Sequence, residues 1–203
     1  MDKIYINENN KPVDIIYILG AGHCGSTLLS LCFDRHKSVI GLSEIITLNR
    51  KSPGWSGDKY ALGNNFWLKV DRLMQENYSE SITEVPFNLR SKLPSYYLAL
   101  QRNKTALKCI LEISGKKIIC DSSKDSKRLD VLLGSKLFNV KVIYLVRDGR
   151  AIVHSYRRKY GSWWPGWFNL TSTDRSARRL KAKFGSKNWL TVRYEDMVTD
   201  LEG

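Results

Sequence analysis

The segment Gly20-Ala21-Gly22-His23-Cys24-Gly25-Ser26-Thr27 constrains the fold of this chain more than any other. It follows Val13-Asp14-Ile15-Ile16-Tyr17-Ile18-Leu19, a short β-branched run of the kind buried on both faces of a parallel sheet. It leads into Ser26 to Phe33, where Leu28, Leu29, Leu31, Cys32 and Phe33 have helical spacing. Strand, glycine-rich turn and helix make half of a βαβ unit. The N–H groups of such a turn converge on an anion that the helix dipole also favours.

The same grammar recurs downstream. Lys117-Ile118-Ile119-Cys120 reads as a strand, Ser126 to Leu133 as a helix, and Lys141 to Val146 as a strand followed by a helix through Arg158. Trp189 to Val192 reads as a last strand, and Ser95 to Ser114 as a helix stopped by Gly115. The alternation predicts an α/β fold of three layers, α/β/α, around a central parallel sheet. Two stretches read as loops: Lys51 to Asn65, and Gly161 to Asn169, which gathers Trp163, Trp164, Trp167 and Phe168 around Pro165.

A length of 203 residues suits a single domain over residues 1–203. The 33 lysines and arginines outnumber the 20 acidic residues, so the field of the protein attracts anions such as nucleotides, sulfated glycans or nucleic acid. Cys24, Cys32, Cys109 and Cys120 have neither CxxC nor metal-ligand spacing, which predicts no metal site and a reducing compartment. Met1 to Lys11 is polar and no apolar run approaches the roughly 18 residues of a membrane span, so the expectation is a soluble, cytoplasmic protein.

The turn matches the G-x-x-x-x-G-K-[ST] spacing except that Ser26 stands at the lysine position. That lysine reaches the β- and γ-phosphates in nucleoside triphosphatases, so a triphosphate site is disfavoured. A turn used only for close packing is the plainer reading, and the hydroxyls of Ser26 and Thr27 at the helix start weigh against it.

With these residues in view, Gly22-His23-Cys24-Gly25-Ser26-Thr27-Leu28-Leu29 resembles the 5'-phosphosulfate loop of sulfotransferases that use 3'-phosphoadenosine 5'-phosphosulfate (PAPS). The family pattern there is a basic residue, Ser, Gly, Thr or Ser, Thr. The resemblance implies a P-loop NTPase-like fold, PAPS as donor and adenosine 3',5'-bisphosphate (PAP) as product, with no metal required. It assigns Cys24, Gly25, Ser26 and Thr27 to the 5'-phosphate. His23 occupies the position whose usual Lys or Arg contacts the bridging oxygen of the leaving phosphate, and histidine carries that charge only when protonated.

Arg147 closes the strand Lys141 to Val146, at the sheet edge where ligands of parallel sheets collect. Its forked donors suit a phosphate, and Ser155 follows two helical turns later on the face shared with Asp148 and Ala151. This pair resembles the family's 3'-phosphate motif, an arginine and a serine eight residues apart. The plainer reading makes Arg147 a surface ion-pairing residue beside Asp148 and Arg150. Tyr194 in Val192-Arg193-Tyr194-Glu195-Asp196 resembles the adenine-contacting tyrosine, although a core tyrosine would look the same.

Sulfonyl transfer needs in-line placement, charge stabilisation and a base for the acceptor proton. Glu44, after the apolar run Val39-Ile40 and Gly41-Leu42-Ser43, resembles the carboxylate base of tyrosylprotein sulfotransferases; the helix between should return the chain to the strand adjacent to the first. The alternative is a helix-start carboxylate before Ile45 and Ile46, with Ser43 as the cap. Lys124 in Asp121-Ser122-Ser123-Lys124 resembles a bacterial sulfotransferase segment and could steady the sulfonyl oxygens; otherwise Asp121 organises a metal and Lys124 is solvated. The tryptophan-rich stretch could shape an acceptor pocket, form a lid, or pack as core.

The sequence therefore predicts a sulfotransferase acting on a hydroxyl or amine of an unidentified acceptor, whether small molecule, glycan, lipid or peptide, with no specific nucleic-acid partner. Two rivals stand beside it: a small-molecule kinase, and a non-enzymatic polyanion binder using runs such as Arg157-Arg158-Lys159. The family's further helices and basic glycine-containing loop are expected to be missing from this chain. A longer protein or a partner, a homodimer included, would supply them.

Overall fold

The computed structural model of the protein describes residues 11–50, 63–90 and 96–199. Five strands form one sheet: β1 (Val13–Gly20), β2 (Val39–Gly41), β3 (Ile118–Asp121), β4 (Phe138–Val146) and β5 (Trp189–Arg193). Their order across the sheet is β2-β3-β1-β4-β5, and every neighbouring pair is parallel. The helices are α1 (Ser26–Asp34), α2 (Gly63–Tyr78), α3 (Tyr96–Ser114), α4 (Ser126–Gly134), α5 (Gly149–Tyr160), α6 (Trp164–Phe184) and α7 (Tyr194–Thr199). This is the expected three-layer α/β architecture.

Alternation along β1 decides what each layer buries. Val13, Ile15, Tyr17 and Leu19 face a large apolar cluster with Leu107 and Ile110 of α3, Leu129 and Leu132 of α4, and Ala177 and Leu180 of α6. Ile16 and Ile18 face the other way, against a small cluster with Cys24 and, from α1, Leu29 and Phe33. The second layer is thin, and Leu28 and Leu31 of α1 stand exposed.

Two sequence expectations change. Gly161 to Asn169 is not a loop throughout: Gly161 caps α5 in the left-handed region, and α6 begins at Trp164 with Pro165 in its first turn. Proline suits that position because the N–H it lacks has no helical acceptor there. β2 pairs with β3 rather than lying beside β1, so β3 stands between Glu44 and the glycine-rich turn. The expected loop Lys51 to Asn65 lies largely outside the described residues, and its last three residues open α2.

A fully buried ion pair fixes the β3–α4 connection. Arg128 Nε donates to Asp121 Oδ2 at 2.9 Å, while its Nη1 donates to the Phe87 carbonyl and to Asn103 Oδ1. Asp121 Oδ1 accepts the Ser123 N–H. Burial pushes the Tyr17 hydroxyl well above its ordinary pKa, with the nearby Asp121 charge adding to it; that hydroxyl bridges to the N–H and carbonyl of Asp125.

Candidate active site

Because the sheet is wholly parallel, all five strands point their carboxyl ends at one edge. Each delivers a residue singled out from the sequence within a few positions of that edge. β1 leads to the 21–25 turn, β2 to Glu44, β3 to Lys124, β4 to Arg147 and β5 to Tyr194.

The turn is shaped by two left-handed residues, His23 at φ 63° and Gly25 at φ 97°. Alternating backbone handedness curls consecutive N–H groups toward one side, an arrangement that binds anions, and the free N–H groups of the α1 first turn add to it. The Cys24 N–H closes the turn on the Ala21 carbonyl at 3.2 Å, and burial pushes its thiol pKa up, so Cys24 contributes shape rather than a thiolate. Gly25 has no substitute here, since a Cβ would run into the Tyr194 ring and its φ disfavours other residues. Ser26 is buried and Thr27 exposed at the start of α1.

On the β4 side, Arg147 Nη1 donates to the His23 carbonyl at 2.9 Å, and its guanidinium lies 4.3 Å from the Tyr194 ring centroid. Ser155 Oγ is 3.1 Å from His23 Nδ1. His23, Arg147, Ser155 and Tyr194 therefore form one group. Arg147 is not the partner of Asp148, whose carboxylate is held by Arg150 down at about 2 and caps α5. Burial lowers the His23 pKa, and the charges of Lys159, Arg147 and Lys124 lower it further, so the imidazole is neutral at neutral pH.

On the β3 side, Lys124 Nζ donates to Ser26 Oγ at 3.2 Å and pairs with the Glu44 carboxylate. Glu44 is joined to the turn through Lys124. The Ser43 carbonyl accepts the Ser122 N–H, locking the β2 and β3 exits together. His23, Ser43 and Lys124 are three of the four non-glycine residues with positive φ among the described residues. Left-handed backbone at such residues costs on the order of 1–3 kcal/mol and gathers where function holds it in place.

Three further residues escaped the sequence reading. Asn169 of α6 accepts the Gly22 N–H at 2.6 Å. Tyr156 packs its ring 4.7 Å from His23 and covers Gly22, where a Cβ would meet its hydroxyl. Glu195 accepts the Asp148 N–H at 2.9 Å, tying α7 to the α5 cap. Tyr156 stands beside Ser155 in a helix already marked, a signal that was available; Asn169 and Glu195 are brought in by tertiary structure alone. Asp121, the alternative metal organiser, has both oxygens engaged by Arg128 and the Ser123 N–H. Among the described residues no three His, Cys, Asp or Glu side chains gather as metal ligands.

A sulfotransferase family model matches residues 14–203, and the chain belongs to that family. It is therefore a transferase that takes a sulfonate donor and an acceptor. Nine solved chains match its fold. The sulfotransferase domain of the Synechococcus PCC 7002 olefin synthase is 22% identical at a TM-score of 0.61, with 97% of this chain and 71% of that one covered. The sulfotransferase domain from the curacin biosynthetic pathway is 18% identical at 0.62, covering 95% and 71%. A sulfotransferase from Mycobacterium tuberculosis is 15% identical at 0.54, covering 95% and 65%. No curated protein sequence matches.

Proposed function

We propose that the protein transfers a sulfonyl group from PAPS to a nucleophilic hydroxyl or amine, with Glu44 as the base. The observation that carries this reading is the bridge made by Lys124, whose ammonium meets Ser26 on one side and Glu44 on the other. It joins an anion-binding turn to a carboxylate able to take a proton.

The residues at the sheet edge fit such a donor. The curled 23–25 backbone and the N-terminus of α1 suit the 5'-phosphate end. Arg147 retains N–H donors beyond the one given to His23, and with Ser155 it suits a second phosphate a few ångströms away. Tyr194 offers a ring face for the base, already backed by the Arg147 guanidinium. When bound, PAPS supplies the sulfonyl group and PAP leaves.

The chain's own residues divide the rest of the task. Ser26 and Lys124 present an N–H dipole and a cation to oxygens on which charge develops. Glu44, with its side chain 46% exposed, is open to an incoming acceptor and accepts its proton. A cavity of about 260 Å³ begins at Lys124 and is lined by Arg90, Lys127, Asn169, Ser172 and Ser176 among others, with neither Arg147 nor Tyr194 in its lining. It supports acceptor entry from the β3–α4–α6 side. His23, neutral and bonded toward Ser155, positions the second phosphate site rather than supplying a fixed charge.

Calorimetric titration of the magnesium-free protein with PAP and then ADP tests the reading. Binding of PAP with at least tenfold preference over ADP is expected, about 1.4 kcal/mol of selectivity. ADP preference, or turnover only with ATP and magnesium, would overturn it in favour of a kinase.

A further inference from the structure

The corner between α5 and α6 combines features that neither the core nor the site uses. Tyr160, Trp163, Trp164, Trp167 and Phe168 are all exposed, between 48% and 66%. Buried contacts account for none of these faces, yet they fall within nine consecutive residues. Trp164, Trp167 and Phe168 have i, i+3, i+4 spacing, so they share one face of the first turn of α6, opposite Gly166, which packs on Tyr156. Trp163 and Trp164 stack edge to face at 5.4 Å.

Immediately before them, Arg157, Arg158 and Lys159 close α5 and are exposed, and residues 157–168 include no acidic side chain. Further along α6, Arg175 and Arg178 continue the stripe of Phe168 at i+7 and i+10, both exposed, Arg178 paired with Asp174. Aromatic rings with polar tips beside a cationic cluster suit the headgroup level of a bilayer, where Trp and Tyr sit at the acyl boundary and Lys and Arg meet anionic lipid. A duplex nucleic acid, whose bases are already stacked inside, would use the cations and leave three indoles and a phenyl ring in water. Among the described residues no helix is long and apolar enough to cross a membrane, so this chemistry is that of surface attachment.

We propose that the α5–α6 corner docks the protein on the surface of an anionic phospholipid bilayer, with Trp163, Trp164, Trp167 and Phe168 entering the interface and Arg157, Arg158 and Lys159 pairing with lipid headgroups. Tyr160 and Tyr156 connect this corner to His23, with ring centroids 5.8 Å and 4.7 Å from the imidazole. Docking in this way holds the edge of the site facing the membrane plane.

Sedimentation of the full chain with sucrose-loaded vesicles tests it, using phosphatidylcholine alone and phosphatidylcholine mixed with phosphatidylserine. Binding to the mixed vesicles is expected, with weak or no binding to the neutral ones. Arg157→Gln/Arg158→Gln/Lys159→Gln should lower partition by about a hundredfold, because each basic residue near the surface contributes roughly a factor of five. Trp164→Ser/Trp167→Ser/Phe168→Ser should abolish it while circular dichroism and PAP binding remain those of the parent. Absence of binding to phosphatidylserine vesicles would overturn the proposal. So would binding that survives the aromatic substitutions and is competed by heparin, which marks a general polyanion surface. Concentration-dependent dimerisation removed by the same substitutions, without vesicle binding, would assign the corner to a second copy of the chain instead.

Discussion

The Arg147 guanidinium lies over the Tyr194 ring at 4.3 Å while its Nη1 holds the His23 carbonyl at 2.9 Å, so one side chain ties the exits of β1, β4 and β5 together. Arg147→Ala should therefore do more than remove a phosphate donor. It should erase the preference for PAP over nucleotides lacking a 3'-phosphate and weaken all nucleotide binding, a loss on the order of 2–4 kcal/mol. Arg147→Lys, lacking the fork, should recover little of it. Calorimetry with PAP and ADP on each variant measures both effects.

Glu44→Gln keeps the shape of the side chain and removes its ability to take a proton. Turnover should fall by about 10²–10⁴-fold while PAP affinity stays within about twofold of the parent. Unchanged turnover in a coupled PAP-release assay would remove Glu44 as the base.

Gly25→Ala introduces a Cβ into the Tyr194 ring at a backbone φ of 97°. The turn must open or the tyrosine must move. We expect a loss of stability of about 1–3 kcal/mol and a larger loss of PAP affinity than Gly115→Ala, whose Cβ meets open space although its φ is also positive. Urea titrations of the two variants side by side separate backbone strain from the ring contact.

His23 has its pKa lowered by burial and by neighbouring cations in the free protein. A bound phosphate places negative charge nearby and raises it, so binding takes up a proton between the free and the bound values. PAP affinity should rise as pH falls through the bound pKa and level off below the free one, and His23→Gln should flatten the profile. Calorimetry in buffers of different ionisation enthalpy counts the proton directly; release rather than uptake would contradict the assignment.

Arg128 and Asp121 are 0% and 1% exposed. Arg128→Met leaves a buried carboxylate without its partner and should cost about 3–5 kcal/mol in urea unfolding, while Asp121→Asn/Arg128→Met should recover a substantial part. A mild effect of the single change would mean that water reaches Asp121.

The order of strands and helices was legible because a two-sided parallel sheet demands continuous apolar runs, and Ile15 to Leu19 and Val142 to Val146 are such runs. The glycine turn and Arg147 could be placed because each follows a strand end, and Ser155 by helical register from Arg147, whereas Tyr194 was marked only by its resemblance to a family segment. Trp163 to Phe168 misled, since glycine and proline punctuate loops and helix starts alike, and the position of Pro165 within a helix depends on what α6 packs against.

The sequence by itself determined the local elements and the residues at their ends, because backbone conformation and hydrophobic period are set over a few residues. Sheet order, the insertion of β3 between β1 and β2, and the meeting of Lys124 with both Ser26 and Glu44 were decided only by tertiary structure. The two lysine contacts join residues 98 and 80 apart, and no short-range pattern carries the packing of a lysine on β3's exit against a serine on α1.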